Sequence, residues 1–229
     1  MAVALGIKRQ SNIIEKLVAS KIFWLCFIAF VFTYPIVKSV NRTLPAQLPI
    51  IKQLPEFNLI NSFGKPFGSK ILKGRVYIAN FIFTSCASSC LRLTKEMEKV
   101  QKRVRGLGQK VALVSFTVDP THDTPKVLYK YARGKNANPF VWTFLTGEKQ
   151  EMKDLLLNGF NVPMGEKEEV AAVLDDKNIT MLDIAHTEKF ALVDHTGAIR
   201  GYYDSTKNDI NQMMIDIGLL INRKEYSNN

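Results

Sequence analysis

The sequence predicts an α/β domain, a mixed sheet flanked by helices, standing behind an N-terminal transmembrane helix. Three observations predict it. From residue 76 onward, apolar runs of strand length alternate with segments of helical period. The last two strands are separated by a tight turn instead of a helix. The first forty residues hold one long uncharged apolar run.

Length and composition agree with this outline. A chain of 229 residues has room for one medium domain and an appendage. Its 46% hydrophobic and 23% charged residues are ordinary for a globular protein and argue against wholesale disorder. The net charge of +10 includes Lys8, Arg9, Lys16, Lys21 and Lys38 near the N-terminus, balanced there by Glu15 alone. The remaining excess forms no basic block. Its densest group, Lys95, Lys99, Lys102, Arg103 and Arg105, is interleaved with Glu96 and Glu98, as on a solvated helix face. No nucleic-acid partner is expected.

The apolar run Ile22 to Val37 has 16 residues without a charge. A membrane-spanning helix needs about 20, with a range of about 17–25. Lys21 and Lys38 can extend the span by snorkelling at its two ends. Trp24 and Tyr34 lie near those ends, where amphipathic rings are favoured, and Pro35 lies where a helix loses least by breaking. A cleaved signal peptide would need a small-residue site just after the run, and "SVNRTLPAQ" is a poor one. A buried core helix fits badly with apolar residues all round and an N-terminal position. The expected division is therefore a cytoplasmic tail over 1–21, a membrane anchor over 22–40, a tether over 41–54 and the folded domain over 55–222. Three prolines between Asn41 and Pro55 stiffen the tether. Four basic residues precede the span, and Lys38, Arg42 and Lys52 follow it, a slight bias toward an N-terminus in the cytoplasm. Cys26, inside the run, reads as a small lipid-facing hydrophobe.

The domain opens with a short strand and a Gly-Lys-Pro turn in "EFNLINSFGKPFG". Val76–Phe83 follows, apolar on both faces, as a central strand of a covered sheet must be. Leu93, Met97, Val100 and Val104 then recur at helical spacing, and Gly106 and Gly108 end that helix. Lys110–Asp119 is the next strand. Asp123 or Thr124 can cap the helix after it, with Pro125 in the first turn. Phe140–Gly147 is a third core strand, and Glu148–Phe160 a helix ended by Gly159. "KFALVDHTGAIRGYYD" is a hairpin turning at His195–Thr196–Gly197, and "DINQMMIDIGLLIN" closes the domain as an amphipathic helix.

Two of the three cysteines, Cys86 and Cys90, fall where the first core strand meets its helix. A helix N-terminus carries partial positive charge and favours thiolate over thiol. Residues four apart there point the same way, with only Ala87, Ser88 and Ser89 between them. The pair can form a redox disulfide, hold a soft metal ion, or simply be buried. A metal would need a third ligand, and the chain has three histidines. His122 sits in the turn after the second core strand. His195 sits in the hairpin turn, where a polar surface residue is expected anyway. His186 stands just before the hairpin and is the candidate. Two thiolates select copper(I), and an imidazole tolerates copper(II) as well. A structural zinc site would want four protein ligands.

Taken together, "FIFTSCASSC", "VALVSFTVDPTHDTPKVLYKYA", "WTFLTG" and "IAHTEKFALVDHTGAIRGYYD" resemble the Sco/SenC family of membrane-tethered copper proteins. The resemblance covers roughly Leu54 to Asp204. It implies a thioredoxin-like fold, in which the loop entering the hairpin lies beside the cysteine-bearing junction. It implies a copper ion bound by Cys86, Cys90 and His186. It also implies a role in delivering copper to the binuclear copper site of cytochrome c oxidase, or in reducing that site's cysteines. The expected partner is then the oxidase's copper-site subunit or another copper or thiol protein. Such a chain is a metallochaperone more than an enzyme. The alternative is a thiol–disulfide oxidoreductase, Cys86 attacking and Cys90 resolving, with no stable copper. The domain would face a bacterial periplasm or, alternatively, the mitochondrial intermembrane space. Leu91 stands where the family commonly has proline, which leaves the first helical turn less constrained. Asp119 and Asp123 read as turn residues, or as carboxylates supporting the copper ligands.

Overall fold

The computed structural model describes residues 18–40, 47–85, 89–162 and 189–226, in two compact units, Met1–Gln47 and Leu48–Asn229. The first unit holds helix α1, Lys21–Val40. It is long and apolar enough to cross a membrane, and no side chain of its Lys21–Lys38 window is buried. The helix runs through Pro35, although proline has no N–H to give the preceding turn. The Thr33 hydroxyl donates to the Ala29 carbonyl at 2.6 Å, a local bond that satisfies the side chain inside an apolar helix.

Among the described residues the second unit is built on one eight-stranded sheet. Its strands are β1 (Lys52–Gln53), β2 (Asn58–Asn61), β3 (Pro66–Gly68), β4 (Val76–Ile82), β5 (Val111–Thr117), β6 (Trp142–Thr146), β7 (Lys189–Val193) and β8 (Ala198–Asp204). In space the order is β1-β8-β7-β4-β5-β6-β2-β3. β4, β5 and β6 are parallel neighbours, and β7 joins β4 antiparallel. The parallel centre explains the sequence pattern: every residue of β4 and of β5 is buried. Alternate residues of β4 serve two cores. Tyr77, Ala79 and Phe81 meet Phe57, Phe116 and Phe160 on one face. Val76, Ile78 and Ile82 meet a helical layer on the other.

That layer consists of α3 (Ser89–Val104), α4 (Pro125–Gly134) and α6 (Lys207–Tyr226). Leu93, Met97, Val100 and Val104 of α3 are buried against the sheet, as their spacing requires. The chain then tightens into a 3-10 segment, Arg105–Lys110, where Gly108 takes φ +56°. On the opposite face lie the short α2 (Ser69–Leu72) and α5 (Lys149–Asp154), which widens into a π-turn over Leu155–Gly159. The expected helix over 148–160 is thus two kinds of turn. Thr124, not Asp123, caps α4, its hydroxyl accepting from the Val127 amide at 3.4 Å. The third core strand begins at Trp142, later than expected, because Phe140 is 88% exposed and does not join the sheet.

One boundary is corrected. The tether expected over 41–54 contains a strand, since Lys52 and Gln53 form β1 of the sheet. Lys52 and Gln53 pair with Ile199 and Ala198, and the Ile51 and Leu54 amides donate to Ile199 and Gly197 carbonyls at 2.9 and 3.1 Å. The open edge of β8 leaves backbone groups to satisfy, and this stretch satisfies them before Pro55 stops it. Leu54 is buried as a result.

Candidate metal and thiol site

Strand β4 ends at Ile82 and α3 begins at Ser89, so the cysteine pair spans a strand-to-helix junction as expected. Cys86 and His186 lie outside the described residues. Cys90 lies in the first turn of α3, where only its backbone is described. The geometry of the expected three-ligand set therefore lies outside the described residues as well. Among the described residues no three metal-binding side chains come together. The first turn of α3 carries no acidic residue to oppose its positive end.

The flanking strands fix where the ligand-bearing segments join the sheet. β7 pairs antiparallel with β4 at Ala191↔Ala79, Leu192↔Ile78 and Val193↔Tyr77. Its first residue, Lys189, therefore stands at the end of the sheet where β4 finishes. Lys189, three residues after His186 in sequence, thus enters the sheet at the end where β4 finishes, four residues before Cys86 in sequence.

The loop's departure point is held by Asp123, which is fully buried. Its carboxylate accepts from the Thr84 amide at 3.1 and 3.3 Å and from the Thr84 hydroxyl at 2.5 Å. It also accepts from the Thr117 hydroxyl at 2.6 Å. Thr117 ends β5, and its oxygen accepts from the Asp119 amide at 3.0 Å. Asp119 closes the turn itself: its carbonyl accepts from the Asp123 amide at 2.9 Å and its carboxylate from the His122 amide at 3.3 Å. Asp119 is thus a turn residue, while Asp123 reaches across to another strand. Residue type and local sequence make the two look alike. Only the distance in sequence hides the second role, since Thr84 is 39 residues away.

The other histidines are placed as follows. His122 is exposed in the turn after β5. His195 is half-buried, less open than expected, and its carbonyl accepts from the Gly74 amide at 2.9 Å, just before β4 begins. It therefore sits at the far end of the sheet from the cysteines. Asp194, beside it, carries no signal in the sequence. Its buried carboxylate accepts from the Thr196 amide and hydroxyl, the Ala198 amide and Arg200, so it builds the hairpin turn. Tyr77, near that end of β4, is buried, and its phenol is pushed well above its ordinary pKa by burial and then by the charge of Asp194.

A covered, parallel-centred mixed sheet closed by an antiparallel hairpin and layered with helices defines a thioredoxin-like domain. A family profile described as SCO1/SenC matches residues 50–222, and the chain belongs to that family. The Bacillus subtilis (strain 168) "SCO1 protein homolog" is 31% identical over 165 residues, 70% of this chain and 78% of that protein. A Stutzerimonas stutzeri protein named for a suggested copper-binding role is 29% identical over 156 residues, 68% of this chain and 71% of that one. Among solved structures, that of BsSco matches with TM-score 0.64 and 27% identity over 77% of this chain and 98% of its own. BsSco is described as having a disulfide switch and as a member of the Sco family of cytochrome c oxidase assembly proteins.

Proposed function

We propose that this chain is a membrane-anchored copper-binding protein that delivers copper to the binuclear copper site of cytochrome c oxidase during assembly, or maintains that site's thiols. The observation that carries the reading is the Cys86/Cys90 pair at the β4–α3 junction of an SCO1/SenC domain. Cys86, Cys90 and His186 are the proposed ligands. Chain length permits them to meet. At about 3.3–3.6 Å per residue, Cys86 lies within about 14 Å of Ile82, and His186 within about 11 Å of Lys189, at one end of two adjacent strands.

The donor set fits copper. Two thiolates and one imidazole are soft ligands that suit copper(I), and three of them leave a coordination position open. Both thiols must be reduced and lose their protons before the ion binds, so binding is gated by redox state and by pH. A thiolate from an acceptor protein can take the open position, and the ion then passes by ligand exchange without being released to water. Residues 22–40 anchor the domain at a membrane, with the domain on the periplasmic side or, in a mitochondrion, in the intermembrane space.

A second reading is favoured by the disulfide switch named for BsSco. Here Cys86 attacks a partner disulfide as thiolate, and Cys90 resolves the mixed disulfide. The partner leaves reduced and this chain is left oxidised.

Anaerobic copper(I) titration of the reduced full-length chain in detergent tests the first reading. One copper per chain is expected, with affinity lowered in His186→Ala and lost in Cys86→Ser. Unchanged affinity in His186→Ala removes that ligand, and no binding by the wild type overturns the copper reading. For the second reading, Cys90→Ser should trap a mixed disulfide with a partner, and no trapped species counts against it.

A further inference from the structure

We propose that Asp123 is a positioning residue for the cysteine loop, acting through Thr84. The inference rests on the reading above that Cys86 and Cys90 are the working groups. It goes further in naming what holds them.

Asp123 does not do the work its position in a turn suggests. It precedes the cap of α4, yet the cap is Thr124. Its acceptors are used instead by Thr84, just past the end of β4, and by Thr117, which ends β5. The ladder between those strands closes with the Val118 amide donating to the Ile82 carbonyl at 2.8 Å. Past that bond the β4 chain has left the sheet. Among the described residues, Thr84 is the last before Cys86 held by a hydrogen bond to the rest of the fold, and Asp123 is the group that holds it.

A fully buried carboxylate is costly unless hydrogen-bonded, and no ion pair to Asp123 is present among the described residues. A neutral side chain could have met two hydroxyls without that cost. What the charge adds is short, strong, directional hydrogen bonds to both the amide and the hydroxyl of one residue. Those bonds fix the direction in which the chain departs, two residues before Cys86. The turn built by Asp119 in turn fixes Asp123 itself. Groups that orient ligands without touching the metal commonly change affinity by about 10–100-fold when removed.

The test uses full-length protein in detergent, with four variants. Thr84→Val deletes the hydroxyl bond to the loop. Thr117→Val deletes a bond to the same carboxylate, and with it the acceptor of the Asp119 amide, but leaves the loop tied. Asp123→Ala removes the tie, and Asp123→Asn keeps an oxygen that Thr84 can use. Two quantities are read beside the melting temperature: copper(I) affinity against a competing chelator, and the dithiol–disulfide equilibrium constant of the pair against glutathione. Thr84→Val should weaken copper(I) binding about tenfold and Asp123→Ala up to about 100-fold. Asp123→Asn should fall between them, and Thr117→Val should lower the melting temperature at least as much as Thr84→Val while keeping wild-type affinity. The dithiol–disulfide constant should shift about tenfold in Thr84→Val and Asp123→Ala but not in Thr117→Val. Equal behaviour of Thr84→Val and Thr117→Val in both quantities overturns the inference. Should Asp123→Ala fail to fold, Thr84→Val decides. Should the wild type hold no copper, the copper reading fails, and the dithiol–disulfide constant alone decides this inference.

Discussion

Replacing Asp194 by alanine should cost the domain about 3–5 kcal/mol. That figure follows from what the carboxylate holds. It is 3% exposed and lies 3.1 Å from the Arg200 guanidinium, whose side chain is 13% exposed. It also accepts from the amides of Thr196 and Ala198 at 2.8 and 3.1 Å and from the Thr196 hydroxyl at 2.6 Å. Thr196 is exposed, so water can replace its bonds. Ala198 is buried, and its amide would be orphaned, at about 1–3 kcal/mol. Arg200 would keep its bond to the Leu48 carbonyl at 2.5 Å but lose its counter-charge in a site with little water. Breaking one side of a buried pair accounts for the rest. Asp194→Asn keeps an acceptor for the two amides and should cost less, about 1–3 kcal/mol. The assay is urea unfolding of the compact unit from Leu48 onward, compared at constant m. For a domain of this size the larger loss corresponds to a drop of roughly 6–20 °C in Tm. Because the turn lies at the end of the sheet away from the cysteines, copper affinity of the folded variant should be unchanged. A stability loss below about 1 kcal/mol would refute the reasoning, because it would mean that water reaches Ala198 and Arg200.

Three further outcomes follow from particular contacts. Tyr77 and Tyr203 both have phenols raised above the ordinary value of about 10, Tyr77 by burial and then Asp194, Tyr203 by burial and then its hydrogen bond to Asp216. With folded values above unfolded ones, their contribution is whole below about pH 10 and is lost as pH rises beyond it. Tyr77→Phe should flatten the alkaline loss of stability in a pH series, and an unchanged slope would contradict this. Gly201→Ala places a Cβ 2.7 Å from the Tyr203 hydroxyl oxygen and 2.8–2.9 Å from its ring. It should cost about 1–3 kcal/mol by thermal unfolding, since moving the ring strains the 2.6 Å bond to Asp216, and a neutral result would show that the ring has room. Thr124→Ala should cost about 0.5–2 kcal/mol as a lost helix cap, and a similar loss from Thr124→Asn would show that the cap bond is not what matters.

Much of the architecture was legible because its cause is local. The four-three-four spacing of Leu93, Met97, Val100 and Val104 has one physical solution, a helix with one buried face, and α3 is that helix. A β4 apolar at nearly every position can only be a strand covered on both sides. The junction of these two elements placed the cysteine pair, so its setting was readable from Val76 to Val104 alone. The family motifs then supplied His186 as the partner expected for the pair.

What the tertiary structure decided are pairings between residues distant in the chain. Lys52 and Gln53 read as part of a stiff tether because nothing nearby needs them, and they join the sheet as β1 because the β8 edge, far along the chain, has unpaired backbone groups. Thr124 and Asp123 are both good caps by residue type, and a cap is chosen by which oxygen the fold leaves free. Asp123 is taken by Thr84 and Thr117, so Thr124 serves the helix. The sequence by itself thus determined the central strands, the helices that cover them and their order, because hydrophobic period and residue type act over a few residues. Only the assembled sheet decided which carboxylate builds a turn and which holds the cysteine loop, because that depends on which donors the fold brings within hydrogen-bond distance.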